Sequence, residues 1–479
     1  MSTAETSLSL AFLLAVVFLI SLGWRSRERR TLPPGPGPNE VLTDLPKENG
    51  YRAFDKWIKK YGPIISYRTG GTPVIGTYPT PTTYSMAMKC LYESGQHIGM
   101  SGRASLAYKP FQTLESSIFL RDLIRDADGW IGYLERFASS VVFAISYGQR
   151  IKTLDDEMVA KNREILKGIM RFAKQGNYLV ESYPILLKLP VSVRWFLKEP
   201  TLQRQADTAT LVNLLNNVRT KMKEGRAKES MSTRILSGEG VSEKNRMTEE
   251  AMAYAASAPF TAGVDSSTAA MQVFFLAMLH YPDVAKKAQE ELDRVVGRDR
   301  MPEFRDEESL PFMRALIKEN LRWRPIAPTG IPHAVIQDDV YNGYFIPKGS
   351  TVFADIFTMA QDPDMFPNPE AFEPERFLKT TDPRLLDFTL PFGFGRRICP
   401  GMHVASQSLF ILITRILWAF EIKPLLDGSL PDSDAFVANS LTRAPKPFRF
   451  VLEPRDGDVL KLIGSYADEA DVLLREWED

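Results

Sequence analysis

Of the two cysteines in the chain, Cys90 and Cys399, only Cys399 stands among arginines and glycines, in Phe392-Gly-Phe-Gly395-Arg-Arg397-Ile-Cys399-Pro-Gly401. A cysteine that ligates a metal does so as the thiolate, and a thiolate needs positive charge or hydrogen-bond donors close by. Arg396 and Arg397 offer the charge. Gly395 and Gly401 let backbone come close to a flat group. Met402–Trp418 reads as a buried helix, and its N-terminus adds a partial positive end just after the cysteine. Such a setting suits an anionic sulfur ligand on the iron of a porphyrin, where the thiolate pushes electron density toward O–O cleavage. Against this stands the plain reading of a lone cysteine as a small buried hydrophobe.

A second group of residues lies inside Thr248–His280, which reads as a long, mostly apolar helix ended by Pro282. It is Ala262-Gly263-Val264-Asp265-Ser266-Ser267. A glycine within a helix costs about 1 kcal/mol against alanine, which is expected where something must approach the backbone. Asp265 and Ser266 put an acid beside an alcohol, a pair able to relay protons. The alternative is a small-residue helix contact beside a solvated aspartate. Pro259 removes one helix hydrogen bond and predicts a kink before Gly263. Glu319-x-x-Arg322 lies on Ser309–Trp323, read as a helix capped by Ser309 and stopped by Pro325. Positions i and i+3 share a face, so the two charges can pair. An exposed pair of this kind is worth little.

The pattern Phe-x-x-Gly-x-Arg-x-Cys-x-Gly resembles the haem-binding signature of the cytochrome P450 family, and all of its fixed positions are present. Further segments of that family follow the same order here. The Ala262–Ser267 stretch is similar to the oxygen-activation motif, with Ser266 where threonine is usual. Phe372-Glu-Pro374-Glu375-Arg376-Phe377 resembles the family's second arginine segment. The resemblance implies a mainly α fold with minor β, the cytochrome P450 fold. It implies Cys399 as axial ligand of heme b, with Phe392 beside the sulfur and Gly395, Gly401 and Gly263 close to the cofactor. Arg397 and His333 would hold propionates, and Asp265 and Ser266 would deliver protons. Glu319, Arg322 and Arg376 would form a buried structural triad. Ala327–Ile331 and Val437–Leu441 would line an apolar pocket, which suits a lipophilic substrate.

The elements that carry these residues read as helix-dominated. Pro63–Tyr78 alternates around Gly70-Gly71 as a hairpin. Thr113–Tyr147 is helical in period, Asp283–Val296 is a second amphipathic helix, and Ile331–Val352 carries short strand signals. Asn342-Gly343 and Pro347-Lys-Gly349 break those strands.

At the N-terminus, Leu8–Trp24 has no charge, and Arg25, Arg27, Arg29 and Arg30 follow at once. Seventeen helical residues span roughly 26 Å, close to a ~30 Å hydrocarbon core. A cleaved signal peptide needs a positive start and a small-residue cleavage site, and neither is found. The positive-inside rule then expects a single-pass anchor in the endoplasmic reticulum membrane with the body in the cytosol. Residues 1–24 read as transmembrane anchor, 25–38 as a basic, proline-rich hinge, and 39–479 as the haem-binding catalytic domain. Zero formal net charge gives no reason to expect nucleic acid, and two cysteines exclude a disulfide framework.

One departure stands out. Family members carry a helix with Trp-x-x-x-Arg whose arginine meets a propionate, and Tyr84–Phe111 has no tryptophan. A stretch around 93–107 is expected to be missing. The implied function is a haem-thiolate monooxygenase that inserts one atom of O2 into a lipophilic molecule, in fungal secondary metabolism. The chain has no dinucleotide or flavin motif. Electrons would therefore come from an NADPH-dependent flavoprotein reductase on the same membrane lipid. Two rival readings remain open: a haem-thiolate isomerase or dehydratase needing no external electrons, and a haem-poor, inactive short form.

Overall fold

A computed structural model describes residues 31–44, 51–69, 72–77, 100–173, 178, 180, 184–238, 247–438 and 441–478. The expected anchor Leu8–Trp24 and Cys90 lie outside the described residues. The chain divides into two compact units, one of residues 1–90 and 332–355, the other of residues 91–331 and 356–479.

The smaller unit holds helices α1 (Pro38–Asp44) and α2 (Tyr51–Tyr61) and most of the sheet. Strands β1 (Ile64–Thr69) and β2 (Thr72–Thr77) pair antiparallel as the predicted hairpin, with Ile64 opposite Thr77. β2 pairs parallel with β6 (Thr351–Ala354), and β6 antiparallel with β3 (His333–Ala334), giving the order β1-β2-β6-β3. β4 (Asp339–Tyr341) and β5 (Tyr344–Ile346) form a separate hairpin. Its turn is Asn342-Gly343, both at positive φ, as a tight two-residue hairpin turn requires. Trp57, Phe54, Tyr67 and Phe353 pack together under the sheet. Ser66 N–H donates to the Pro34 carbonyl at 2.9 Å, and Pro38 opens a helix, where its fixed φ is favourable.

The larger unit is mostly helix. In chain order it has α3 (Gly102–Ser105), α4 (Lys109–Arg125), α5 (Trp130–Tyr147), α6 (Glu157–Ala173), α7 (Lys198–Lys223) and α8 (Met231–Leu236). Then come α9 (Glu249–His280), α10 (Pro282–Val295), α11 (Pro311–Trp323), α12 (Met402–Ala419) and α13 (Gly457–Leu474). Short helices at Ile356–Ala360, Glu375–Leu378 and Pro383–Leu386 lie in it too, as do two small strand pairs, β7 (Phe420–Lys423) with β10 (Val451–Pro454), and β8 (Phe436–Ala438) with β9 (Arg443–Pro445). The segment expected as one helix over Thr113–Tyr147 is two. Asp126-Ala-Asp-Gly129 breaks it, because the Asp126 carboxylate accepts the Asp128 N–H and turns the chain.

α9 runs unbroken in assignment through Pro259, and Thr248 caps it by accepting the Ala251 N–H. α11 starts at Pro311 and not at Ser309, which ends a preceding 3-10 turn. Its cap comes from α10: the Glu291 carboxylate accepts the Phe312 and Met313 N–H groups at 3.0 and 2.9 Å. α9 and α12 are each long and apolar enough to cross a membrane by length and composition, yet 72% of each apolar window is buried inside the body. They are core helices, and Phe274, Phe275, Ile413 and Trp418 on them are fully enclosed.

Candidate active site

Cys399 ends a loop shaped by two 3-10 turns, Leu390–Phe392 and Gly395–Arg397. The Cys399 N–H donates to the Phe392 carbonyl at 2.9 Å and closes that loop. Gly393 and Gly395 have φ of +83° and +64°. In that region a Cβ costs roughly 1–2 kcal/mol, so the tight turn itself requires these glycines. The Cys399 residue is exposed, and protein crowds its sulfur from one side. That crowding pushes the thiol's pKa up. The N–H groups of Gly401 and Met402, at the open end of α12, pull it down in part, and the net shift remains upward. Arg397, expected to act on the sulfur, is not among the groups that shift it. Arg397 is exposed and, among the described residues, has no hydrogen-bond or ion-pair partner. The side chain of Arg396 lies outside the described residues.

The body behind the cysteine holds a buried ion-pair network. Glu319 accepts from Arg322 Nε at 2.6 Å and Nη2 at 2.8 Å, from Arg376 Nε at 3.2 Å, and from the Glu373 N–H at 2.7 Å. Arg322 also donates to the carbonyls of Ala360, Pro369 and Ala371. Glu319 and Arg322 are completely buried. The exposed ion pair that the spacing allowed is instead a saturated buried triad that ties α11 to the segment before the cysteine loop.

On α9, Tyr254, Ala258 and Ala262 are exposed and Ser266 is half-buried. Steps of four put them on one face, so α9 opens along that face and closes beyond Ser266. Ser266 Oγ donates to the Ala262 carbonyl at 2.9 Å. Asp265 is turned about 100° away from it. Its charged neighbours are Glu135 of α5 and Arg163 of α6, which pair with each other at 2.6 Å. Asp265 keeps an exposed side, yet burial of the other pushes its carboxyl up, Glu135 adds to this, and Arg163 opposes it. Asp265 and Ser266 therefore turn to different sides of α9.

Gly263 differs from expectation. A Cβ there would lie 2.6 Å from Val142 Cγ1, so the close approach is made by α5. The glycine lets two core helices touch.

The segments next to the two expected pocket walls are joined. Arg443 of β9 donates from its N–H to the Ile326 carbonyl at 2.8 Å and from Nε to the Pro325 carbonyl at 2.9 Å. Val437 sits opposite Ala444 in the same strand pair. Ile331 and Val437 both present exposed apolar surface. Residues 439 and 440 lie outside the described residues. His333 belongs to the smaller unit, where it pairs with Val352 of β6.

A loop-held sulfur open on one side, N–H donors aimed at it, and a free guanidinium two residues earlier fit a haem bound through a thiolate. Comparison with known proteins agrees. The cytochrome P450 family model matches residues 100–452. The chain belongs to the cytochrome P450 family.

It is similar to cytochrome P450 monooxygenase 58 of Postia placenta, 34% identical over 98% of this chain and 97% of that protein. A cytochrome P450 monooxygenase of Armillaria gallica is 31% identical over 95% and 96%. Cytochrome P450 monooxygenase aneD of Aspergillus aculeatus is 32% identical over 97% of both. This P450 is a haem-thiolate monooxygenase. P450 monooxygenases of this kind use O2, a lipophilic substrate and a redox partner. The alignment with the Postia protein runs over 518 positions and the chain has 479 residues, so at least 39 aligned positions have no residue here.

Sequence reasoning missed the residues that support the site from a distance. Val142 opposite Gly263, Glu291 capping α11, and the Glu135–Arg163 pair beside Asp265 have no motif and no local spacing that marks them.

Proposed function

We propose that this P450 binds heme b through Cys399 and inserts one atom of O2 into a lipophilic small molecule of fungal secondary metabolism. The observation that carries this is the Cys399 loop: an exposed residue whose sulfur meets two N–H donors, with Arg397 unpaired among the described residues. Arg397 holds one haem carboxylate, and Phe392 and Gly401 flank the sulfur. When bound, the haem supplies O2 activation, with the thiolate as electron donor to the iron.

The chain's own residues supply the rest. Backbone donors stabilise the thiolate and replace water around it. Ser266 keeps its proton on the Ala262 carbonyl at the edge of the open α9 face, where a rotation of χ1 presents it. Asp265, which keeps an exposed side, passes protons to Ser266 through water. Ile331 and Val437 give apolar walls that favour a lipophilic substrate and exclude water. Residues 1–24 anchor the enzyme in the endoplasmic reticulum membrane, with residues 25–38 as the hinge and the body in the cytosol. An NADPH-dependent flavoprotein reductase there provides the electrons.

The test is the carbon monoxide difference spectrum of the reduced, full-length protein. A red-shifted Soret band reports haem and thiolate together; a haem-containing protein without that band overturns the ligand assignment. Turnover that needs NADPH and reductase supports the monooxygenase reaction, and turnover without electrons overturns it. Deletion of residues 1–30 is expected to move much of the protein to the soluble fraction.

A further inference from the structure

Several hydroxyl groups on the long helices return their proton to their own backbone. Ser257 and Thr261 of α9 donate to the Tyr254 and Ser257 carbonyls at 3.0 and 3.3 Å, and Thr414 of α12 donates to the Phe410 carbonyl at 2.6 Å. Thr268 of α9 differs. The residue is 5% exposed, and its Oγ1 is enclosed with no hydrogen-bond partner. A buried hydroxyl of this kind has lost its hydration and gained nothing in return. Such atoms are rare in folded proteins and mark a place for an ordered water.

Thr268 lines a small cavity between α5, α9 and α12. The cavity offers about 10 Å³ to the centre of a water-sized sphere, which is room for one water and for no larger ligand. Leu134 and Phe137 of α5 and Leu412 of α12 give it apolar walls. Ser408, in the second turn of α12, gives it a second hydroxyl.

Gln112 of α4 decides what that hydroxyl can do. Its Nε2 donates to Ser408 Oγ at 2.9 Å and to the Val404 carbonyl at 3.2 Å. A carbonyl can only accept, so the amide nitrogen of Gln112 must face this pair. Together with the helical N–H of Ser408, it fills the Val404 carbonyl, the acceptor that Ser408 Oγ would otherwise reach on its own helix. The Ser408 proton has no acceptor among the described residues and is left for the cavity. Among the described residues, no hydrogen bond runs directly between α9 and α12.

We propose that this cavity binds a single water molecule, which accepts from the Ser408 hydroxyl and donates to Thr268 Oγ1. The water ties α9, two residues beyond Ser266, to α12, the helix that starts beside Cys399. The site belongs to the protein core and does not rest on the haem reading above.

The test uses the full-length protein with Thr268→Val, Ser408→Ala and the double variant. A crystal structure of the parent at a resolution that shows ordered solvent is expected to hold one water about 2.5–3.0 Å from both hydroxyl oxygens. Empty density between them overturns the inference. Valine keeps the shape of threonine and removes the hydroxyl, so the sign of its effect on melting separates a wet cavity from a dry one. With the water bound, Thr268→Val strands it and is expected to lower the melting temperature by about 2 °C or more. In a dry cavity the substitution removes only an unmet polar group, so Thr268→Val that melts at or above the parent overturns the inference. One shared water also couples the two sites, and the double variant is expected to lose clearly less than the sum of the single losses. Fully additive losses overturn the bridge. If Ser408→Ala, which also releases Gln112, does not fold, the parent crystal structure and Thr268→Val still decide.

Discussion

The N–H of Cys399 donates to the carbonyl of Phe392 across 2.9 Å. This one bond makes the two ends of the signature segment neighbours. It leaves the sulfur at the tip of a closed loop, in reach of the Gly401 and Met402 N–H groups and open on its other side. The aromatic residue that begins the motif and the cysteine near its end are therefore one structural unit.

Cys399→Ala is expected to abolish the red-shifted Soret band of the reduced CO complex. Cys90→Ala is expected to leave it intact. A preserved thiolate spectrum in Cys399→Ala would falsify the ligand assignment.

Glu319→Ala leaves Arg322 buried without its carboxylate. Breaking a buried pair from one side typically costs about 3–5 kcal/mol. Soluble yield and melting temperature are expected to drop sharply. A variant that melts with the parent would show that the triad's carbonyl contacts alone hold Arg322.

At Gly263, an added methyl group meets Val142 Cγ1 at 2.6 Å. Overpacking of this kind costs about 1–3 kcal/mol. Gly263→Ala is expected to lower stability, and Val142→Ala in the same chain to restore much of it. Additive losses in the double variant would contradict a direct contact. Haem content that falls in Gly263→Ala at unchanged stability would return the glycine to the cofactor side.

Ser266→Ala keeps the backbone of α9 and removes the hydroxyl on its open face. General acid–base steps contribute about 10²–10⁴ in rate. Product formation is expected to fall at least about tenfold while NADPH is diverted to hydrogen peroxide, with the CO spectrum unchanged. Ser267→Ala is expected to do much less. Equal product per NADPH in Ser266→Ala and the parent would make Ser266 a packing residue.

The pH dependence of stability is set in part by Glu115. It is buried and accepts from Arg136 at 2.6 Å, Arg150 at 2.7 Å and Ser140 at 2.8 Å. Burial would raise its carboxyl, but the Arg136 and Arg150 charges outweigh this and hold it below the usual glutamate value. A folded pKa below the unfolded one gives stability that is present above the unfolded pKa and lost as pH falls through the folded one. Melting temperature should therefore fall as pH drops below about 4, near the unfolded glutamate value. Glu115→Gln should be less stable at neutral pH and flatter in acid; an acid slope equal to the parent's would assign the loss to other carboxylates.

The sequence alone determined what depends on residue type and short spacing. Cys399, its glycines, the turn at Asn342-Gly343, the β1–β2 hairpin and the long helix ending at His280 all follow from local rules, because steric and hydrogen-bond preferences act within a few residues. The α9 helix was legible from its apolar run, although that run does not distinguish a buried core helix from a membrane span. Only the tertiary structure decided what faces what. It put Val142 against Gly263, turned Asp265 toward Glu135 and Arg163, buried Glu319 with both arginines, and capped α11 with Glu291. It also set Met100 and Gly102 against the cysteine loop, some 300 residues away in the chain. Contacts between distant segments are chosen by packing of whole helix faces, and no local pattern of residues encodes which face a given side chain will meet.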